Sequence, residues 1–274
     1  MMKYCSLFVF MIVVSINNIS IFGQQDTIFN QTDASGLRQG WWKKYYPNGN
    51  LMYQGYFKND KPTGEMKRYF ESGNLKALLQ FNEKGDYAFA KLYYNNESIA
   101  SEGYFHNMKK DSVWKYYSFY DHTLKSSETY KDGIKQGPEC HYYPTGKMFD
   151  KIEWKNNVKD GNWNQYFEDG SFRLRGGYSR GKLSGDFYVY YPKNVPMVKG
   201  HYTNDTREGK WIYYNEDGSV NNEIVYANGQ PQNEKDLTEK QQEYFKKIEK
   251  NIGKYTDPDP NDFFQRDRNN ANDY

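Results

Sequence analysis

The feature that most constrains this chain is a short unit that recurs every 24 residues over most of its length. Eight units align on one position, at Gly40, Gly64, Ala88, Ser112, Gly137, Gly161, Gly185 and Gly209. The spacing is 24 residues except for one gap of 25. A fixed period of this kind predicts a repeat array, in which each unit packs mainly on its sequence neighbours. The array covers residues 38–230.

Each unit is predicted to be one β-hairpin. A first strand ends in an aromatic pair, as in "GWWKKYY", and a turn such as "PNGN" or "EDGS" follows. Gly, Asn and Asp supply the positive φ that short hairpin turns need. The second strand alternates, with Leu51, Tyr53, Gly55 and Phe57 on one face, which is typical of a half-buried antiparallel strand. We therefore predict an all-β, elongated array of about sixteen antiparallel strands that forms one long twisted sheet.

Counting residues back from the turn places large aromatic rings opposite glycines on the neighbouring strand. If residues 47–50 close the first hairpin with Tyr46 opposite Leu51, Trp42 lies opposite Gly55. The same count gives Trp163 with Gly176 and Phe187 with Gly200. A ring that lies over a glycine fills a sheet surface well, so we interpret these six residues as structural. Ala90 opposite Gly103 is small on both sides and predicts a weak spot.

Units three and four depart from the pattern. Ala88 and Ser112 replace the leading glycine, and the turns "NNES" and "SFYDHT" lack theirs. Units four and eight are also one residue shorter before the aromatic pair, which leaves their pairing open. Regular register is therefore in doubt in this part of the array.

Composition excludes one class of partner and supports the fold. Aromatic residues make up 19% of the chain, in a sequence that is only 37% apolar, and such residues favour strands. The formal net charge is +2. Nucleic-acid binding normally needs a strongly basic surface, so no nucleic-acid partner is expected.

The N-terminal residues 1–24 read as a secretory signal peptide. Lys3 precedes an apolar run over residues 5–16, which is too short for a membrane span of roughly 20 residues. We expect an exported protein, periplasmic, associated with the outer envelope or secreted, without a transmembrane span in the mature chain. Residues 25–37 are predicted to be a linker. Cleavage would leave Cys140 as the one cysteine, which excludes an internal disulfide.

The composition changes again after the last unit. Thr238 and Gln241 form a capping-box pattern, and apolar residues follow at helical spacing up to Gly253. Residues 233–253 are predicted to form a helix that caps the array, since an open sheet edge needs a cover. A partner-binding helix is the other interpretation. Residues 254–274 are predicted to be disordered.

No grouping of residues suggests catalysis. The four histidines, His106, His122, His141 and His201, lack metal-ligand spacing and are interpreted as solvated surface residues. Cys140 is adjacent to His141 in a strand, so the two side chains are expected on opposite faces. Phosphate-loop, nucleophile-elbow and zinc motifs are missing from the sequence. We predict no enzyme, no cofactor and no metal.

Three stretches, "GWWKKYYPNGNLMYQGYFKND", "GNWNQYFEDGSFRLRGGYSRG" and "GKWIYYNEDGSV", resemble the MORN repeat family. The closest likeness is to its variant form in bacterial proteins of the YwqK type. The resemblance covers about residues 38–230. It implies an extended sheet of hairpins that serves in protein contacts, membrane association or scaffolding.

Three functions remain open at this point. The first is an exported scaffold that binds a protein partner, because repeat arrays present long surfaces. Its candidate binding residues are the leading tyrosines of the aromatic pairs, Tyr45, Tyr69, Tyr93, Tyr142, Tyr166 and Tyr190. The second is an envelope protein that binds a glycan or a lipid headgroup on aromatic rows, with Lys43, Lys67 and Lys91 holding an anionic group. The third, implied only by the YwqK resemblance, is an antitoxin-like neutraliser of a partner protein.

Overall fold

A computed structural model describes residues 28–232, which form a single open antiparallel sheet of nineteen strands. The strands are β1 (Gln31–Thr32), β2 (Arg38–Tyr45), β3 (Leu51–Lys58), β4 (Lys61–Tyr69), β5 (Leu75–Phe81), β6 (Tyr87–Tyr93), β7 (Ile99–His106), β8 (Lys109–Tyr117), β9 (Leu124–Lys131), β10 (Ile134–Tyr142), β11 (Met148–Lys155), β12 (Val158–Tyr166), β13 (Phe172–Ser179), β14 (Lys182–Leu183), β15 (Gly185–Tyr191), β16 (Val195–Thr203), β17 (Thr206–Tyr214), β18 (Val220–Ala227) and β19 (Gln230–Pro231). A single 3-10 turn, Pro192–Asn194, is the one helical element in the described range.

The sheet is a meander in which strands that are consecutive in sequence pair with each other. One exception occurs where β13 pairs with both β14 and β15, because Ser184 interrupts the first strand of unit seven. The predicted all-β hairpin array is confirmed. The sixteen expected strands are present, and three two-residue strands, β1, β14 and β19, add to them. The predicted signal peptide, C-terminal helix and tail lie outside the described residues.

Two-residue turns connect most units. Both turn residues have positive φ in seven of the described turns, formed by Asn59 and Asp60, Asn107 and Met108, Asp132 and Gly133, Asn156 and Asn157, Arg180 and Gly181, Asn204 and Asp205, and Asn228 and Gly229. Two positive φ values define the type I′ hairpin turn, whose twist matches that of the strands. Asn, Asp and Gly tolerate this conformation best, which explains their recurrence at these positions.

The leading glycine of a unit marks a β-bulge. Gly64 has a φ of +64°, and the register between β3 and β4 shifts at this point. A bulge residue in the left-handed region is usually glycine. Ser112 keeps the bulge with a φ of +58°, and the register between β7 and β8 shifts there too. Ala88 lacks the positive φ, and β5 pairs with β6 without a shift. Unit four therefore keeps the bulge without a glycine, whereas unit three pairs without any bulge.

Replacing Ser112 with glycine should stabilise the protein by about 1 kcal/mol, because an L-residue in the left-handed region costs roughly that much. Ser112 is exposed, so the change removes little packing. Urea unfolding followed by tyrosine and tryptophan fluorescence would measure the effect. Ser179→Gly is the matched control, at an exposed strand position without positive φ. The control should lower stability by about 0.5–1 kcal/mol. Equal shifts for both variants would contradict the assignment of strain to Ser112.

One face of the sheet, here called the ring face, carries the aromatic residues two positions after the aligned residue of their units, namely Trp42, Trp114, Trp163, Phe187 and Trp211. Trp114, Trp163, Phe187 and Trp211 are each at most 2% exposed. Two apolar clusters lie on this face. One contains Ala77, Leu79, Phe81, Ala88, Ala90 and Trp114, and the other contains Ile152, Trp163, Leu174, Phe187, Val198, Tyr202, Trp211, Tyr213, Ile224 and Tyr226. The core of the described residues is therefore a single layer of large side chains on one side of the sheet.

The predicted register of the ring and glycine pairs is observed. Trp42 pairs with Gly55, Trp163 with Gly176 and Phe187 with Gly200. For Gly176 and Gly200, however, the nearest aromatic ring belongs to the following unit. A Cβ built on Gly176 would lie 3.0 Å from Cδ2 of Phe187, and one on Gly200 would overlap the indole of Trp211. The nearest atoms to a Cβ on Gly55 belong to Met66. The rings thus lean toward the preceding unit, and the glycines join units together.

Two expectations about pairing are wrong. The register shifts between Lys44 and Tyr45, so Leu51 pairs with Tyr45 and not with Tyr46. The expected weak spot at Gly103 is filled, because Cδ2 of Trp114 would lie 2.5 Å from a Cβ built there. The Trp114 indole is fully buried and its Nε1 donates to the Tyr104 carbonyl at 2.8 Å. The ring that fills this gap belongs to unit four, which the sequence left unpaired.

The shorter units four and eight pair regularly, but their aromatic pair is displaced by one residue. Tyr116 pairs with Ser126, and Tyr213 pairs with Asn222. Both tyrosines therefore lie on the ring face, where other units place smaller or polar residues. Tyr213 is 4% exposed and belongs to the second apolar cluster.

Candidate functional site

The face opposite the ring face, here called the outer face, carries an unbroken register row from β2 to β18. Each member is the direct cross-strand partner of the next, and directly opposed residues of an antiparallel sheet share a face. The row is Lys43, Gln54, Lys67, Leu78, Lys91, Glu102, Lys115, Ser127, Cys140, Lys151, Asn164, Arg175, Tyr188, Lys199, Ile212 and Glu223.

Seven of the sixteen members of this row are basic, and we call it the basic row. It contains Lys43, Lys67, Lys91, Lys115, Lys151, Arg175 and Lys199. Acidic residues offset it in places, since Glu65 lies 2.9 Å from Lys67 and Glu102 lies 3.8 Å from Lys115. The Lys67–Glu65 pair is solvent-exposed and therefore contributes little to stability, whereas the Glu102 side chain is only 19% exposed. Four of the lysines occupy the first strands of consecutive units. The net charge of the whole chain, +2, gives no indication of this regular arrangement.

The leading tyrosines form a second row two residues further along the same strands. All six predicted binding residues, Tyr45, Tyr69, Tyr93, Tyr142, Tyr166 and Tyr190, lie there, joined by Tyr117 and Tyr214. Tyr45 is 53% exposed, and the other five predicted residues are half-buried. Burial and a hydrogen bond from its hydroxyl to Glu102 raise the pKa of Tyr117 to about 12. The row therefore presents partly exposed, neutral rings beside the basic row.

Aromatic rings lie closest together on the outer face in units six and seven. The ring of Phe172 lies 5.2 Å from that of Tyr166 and 6.3 Å from that of Tyr190, which stacks on Tyr188 at 6.2 Å. The Arg175 guanidinium lies over Phe172 at 5.0 Å. Such a surface can stack on a flat or extended ligand and offer it a cation.

The second tyrosine of the pair has a structural role in units one, three and five that sequence reasoning missed. The Tyr46 hydroxyl donates to the Tyr69 carbonyl at 2.9 Å, and Tyr94 donates to Tyr117 at 2.8 Å. Tyr143 makes the equivalent bond to Tyr166. Each bond joins a unit to the next across 23 residues. The signal in the sequence is the constancy of the pair itself.

Tyr46→Phe should lower the free energy of unfolding by about 1 kcal/mol, because it deletes one hydrogen bond and leaves a carbonyl without its donor. Thermal unfolding by circular dichroism would measure the change. Tyr45→Phe is the matched control on the adjacent, exposed residue and should change stability by less than about 0.5 kcal/mol. A loss as large in the control as in Tyr46→Phe would refute a specific linking bond.

A cluster of charged residues separates the two apolar clusters on the ring face. Glu128 and Glu139 are direct cross-strand partners, and Nζ of Lys135 lies 2.6 Å and 3.1 Å from their carboxylates. The same ammonium lies 4.5 Å from the centre of the Trp154 ring. Glu128 is 7% exposed. Like charges directly opposite each other repel, so Lys135 holds this part of the sheet together.

The charges of this cluster shift its pKa values in opposite directions. Burial alone would raise the pKa of Glu128, but the charge and hydrogen bond of Lys135, with hydroxyl donors from Tyr130 and Tyr116, lower it overall. Burial first, and then the Glu128 carboxylate, raise the pKa of Tyr130 well above its usual range. The ionised form of Glu128 is thus stabilised within a mostly buried site.

His141 extends this cluster, which corrects its interpretation as a solvated residue. Its ring lies 3.4 Å from Glu139 and 3.4 Å from Asp150, and its side chain is 20% exposed. The Trp163 indole donates to the other oxygen of Asp150 at 2.8 Å. Cys140 is buried on the outer face, and burial raises the pKa of its thiol. Cys140 and His141 thus lie on opposite faces, as expected, and do not form a nucleophile and base pair.

The two surfaces differ in what they can do chemically. The charged cluster is satisfied by its own ion pairs, and no group of three His, Cys, Asp or Glu side chains within residues 28–232 is arranged to hold a metal ion. In the same part of the chain, no helix is long and apolar enough to cross a membrane. The outer face has cations and aromatic rings in register over many units, which suits binding to an extended partner.

This geometry defines a class, a repeat protein built from an uninterrupted meander of short hairpins. The family model described as MORN repeat variant matches four segments, residues 38–59, 62–83, 135–156 and 207–228. They correspond to units one, two, five and eight, and each covers a first strand, its turn and the second strand. These four units therefore match the MORN repeat variant, and repeats of this kind are compatible with a repeat-type binding module. The YwqK subfamily remains a prediction.

Two solved structures are similar to part of the fold. One is the crystal structure of TcdB2-TccC3-Cdc42, at 12% identity over 74% of this chain with a TM-score of 0.19. The other is the Tc holotoxin pore of Photorhabdus luminescens, at 8% identity over 67% of this chain with a TM-score of 0.18. This chain spans 14% and 11% of the lengths of those chains. No curated protein matches the sequence.

Proposed function

We propose that this chain is an exported, non-catalytic repeat scaffold that binds a protein partner on its outer face. The observation that supports this best is the difference in exposure of large side chains between the two faces. The ring face buries its large side chains, with Trp163 at 2% exposure, whereas the outer face keeps Tyr45, Tyr56 and Tyr104 at 40–53%. Exposed aromatic residues beside cations are favoured at protein interfaces.

Photo-crosslinking in the host tests where the partner binds. Tyr45→p-benzoylphenylalanine and Tyr104→p-benzoylphenylalanine place the reactive ring on the outer face, at residues that are 53% and 49% exposed. The same replacement at Tyr120, 91% exposed in the turn of unit four, is the control. We expect one protein adduct from both outer-face sites, displaced by excess unmodified chain, and none from Tyr120.

The same experiment separates the alternative. The aromatic and basic surface around Phe172 also fits an envelope glycan or a lipid headgroup, because rings stack on sugars and attract cationic groups. Adducts with glycan or lipid in place of a protein would support that function. No outer-face adduct of any kind would exclude a scaffold that works through this face.

Export is tested separately. Sequencing of the mature N-terminus from host cells should place it close to residues 23–25, with the protein in the envelope or the medium. A retained Met1 in the cytosol would remove the exported part of the proposal and favour an intracellular partner, as the antitoxin-like function requires.

A further inference from the structure

We infer that the basic row of units one to four binds an acidic protein segment in the polyproline II conformation, with one acidic residue at every third position. This rests on the proposed function and specifies the chemistry of the partner. Lys43, Lys67, Lys91 and Lys115 carry it. They occupy β2, β4, β6 and β8, so each is two strands from the next. Strands spaced by ~4.8 Å put these lysines ~9.6 Å apart along a line that crosses the strands.

The spacing selects the conformation of the partner. A polyproline II helix has three residues per turn and rises ~3.1 Å per residue, so side chains three apart recur on one side every ~9.3 Å. An extended β-strand places residues three apart on opposite faces, and an α-helix brings them too close together. Among regular conformations, polyproline II therefore matches one partner carboxylate to each lysine.

The lysines are accessible enough to change partners. The side chains of Lys67 and Lys115 are 43% and 50% exposed although they contact Glu65 and Glu102. Both side chains of the Lys67–Glu65 pair are solvent-exposed, so exchanging this pair for an intermolecular one costs little. The Lys43 ammonium lies 4.0 Å from the centre of the Phe29 ring and forms no ion pair with a carboxylate of residues 28–232.

The neighbouring tyrosine row suits the same partner. Tyr45, Tyr69, Tyr93 and Tyr117 lie two residues beyond the four lysines on the same strands and the same face. Proline-rich polyproline II segments dock on aromatic-lined grooves, because their conformation is already ordered before binding. The two rows together provide one aromatic ring and one cation for each turn of such a segment.

The turns argue against a membrane surface as the occupant. The hairpin turns at both ends of the strands carry carboxylates, including the exposed Asp60, Glu71 and Glu97 and the half-buried Asp86. Hydrogen bonds, from Arg38 for Asp60 and from Asn82 for Asp86, lower the pKa values of these two carboxyls, so they stay ionised. Exposed lysines such as Lys58 and Lys84 lie beside these carboxylates, so the edges of the face are of mixed charge and offer an anionic plane no uniform attraction. A narrow chain along the basic row avoids both edges.

Binding of synthetic peptides to the purified full chain tests this inference. The probe is a fluorescent peptide of about five Pro-Pro-Glu repeats, and its control has the same composition with irregular glutamate spacing. The row variant carries Lys43→Gln, Lys67→Gln, Lys91→Gln and Lys115→Gln. The matched variant carries Lys58→Gln, Lys84→Gln, Lys109→Gln and Lys182→Gln at exposed positions in or beside turns, with the same change in net charge.

We expect the periodic peptide to bind the native chain and the matched variant alike, and the row variant at least about tenfold more weakly. The irregular peptide should bind the native chain about tenfold more weakly than the periodic one. Equal binding of the two peptides would overturn the periodic match. Binding to vesicles with about 30% anionic lipid, lost in the row variant, would assign the row to a membrane. If the crosslinking above yields a protein adduct while the periodic peptide fails, the scaffold proposal stands and this inference falls.

Discussion

Replacement of Trp163 by alanine is expected to lower the free energy of unfolding by about 3–5 kcal/mol, the range for deleting a buried aromatic side chain. The indole is 2% exposed and lies against Tyr178 and Phe187, with ring centres at 5.5 and 6.4 Å. It also donates to Asp150 at 2.8 Å. Alanine would therefore leave a cavity and would remove a donor from a carboxylate that is itself 4% exposed.

Urea unfolding of this variant would be compared with two controls. Trp163→Phe keeps most of the ring and loses the indole donor, so it should cost about 1–3 kcal/mol. Trp42→Ala removes a ring that is only half-buried near the start of the array, and its cost should be smaller than that of Trp163→Ala. An unchanged urea midpoint for Trp163→Ala would mean that the ring is exposed and open to a ligand.

The second large effect is expected for Lys135→Met, which should cost about 3–5 kcal/mol because it leaves two carboxylates without their shared cation in a mostly buried site. The Lys135 side chain is 15% exposed, so solvent screens the pair little. The matched control is Lys210→Met, which breaks a 2.7 Å contact with Glu223 between side chains that are 54% and 44% exposed. Its cost should stay below about 1 kcal/mol.

The pH dependence gives a sharper test of the same cluster. In the native chain the pKa of Glu128 lies below its ordinary value of 4.5. The stability this confers is present above pH 4.5 and is lost as the pH falls through the lowered pKa. Without Lys135, burial raises the pKa of Glu128 above 4.5, so the folded variant takes up a proton that the unfolded chain does not bind. Its stability should then increase as the pH falls from 7 toward 4.5.

Urea midpoints at pH 7 and pH 5 would reveal this reversal. The Lys135→Met variant should have the higher midpoint at pH 5, and its deficit relative to the native chain should be smaller at pH 5 than at pH 7. The difference between Lys210→Met and the native chain should not change between these two pH values. A variant with the same slope as the native chain would show that Lys135 does not control the ionisation of Glu128.

The sequence predicts the period, the hairpins and the cross-strand partners of the rings, because each follows from turn chemistry and counting along one hairpin. Trp163 opposite Gly176 is an example. The direction in which a ring leans does not follow from such a count. It depends on the next unit, as with Trp211 over Gly200, and alternation within a strand contains no information about that choice.

The charged cluster was missed for a different reason, although the sequence holds a signal for it. Glu139 occupies the repeat position of Trp163, and Glu128 occupies that of Leu79 and Ile152. A charge at two adjacent core positions predicts a compensating partner nearby. Lys135 supplies it from outside the aligned ring positions. The outer-face rows are likewise visible only when the register of all units is set side by side.

The meander also determines how the chain reaches its native state. Because consecutive strands pair and contacts rarely extend beyond the next unit, each hairpin closes a short loop of chain. Chains with such local contacts fold rapidly, and repeat arrays grow by adding one unit to a formed neighbour. A chain that leaves a ribosome or a translocation channel from its N-terminus can therefore fold unit by unit, before its last repeats have emerged.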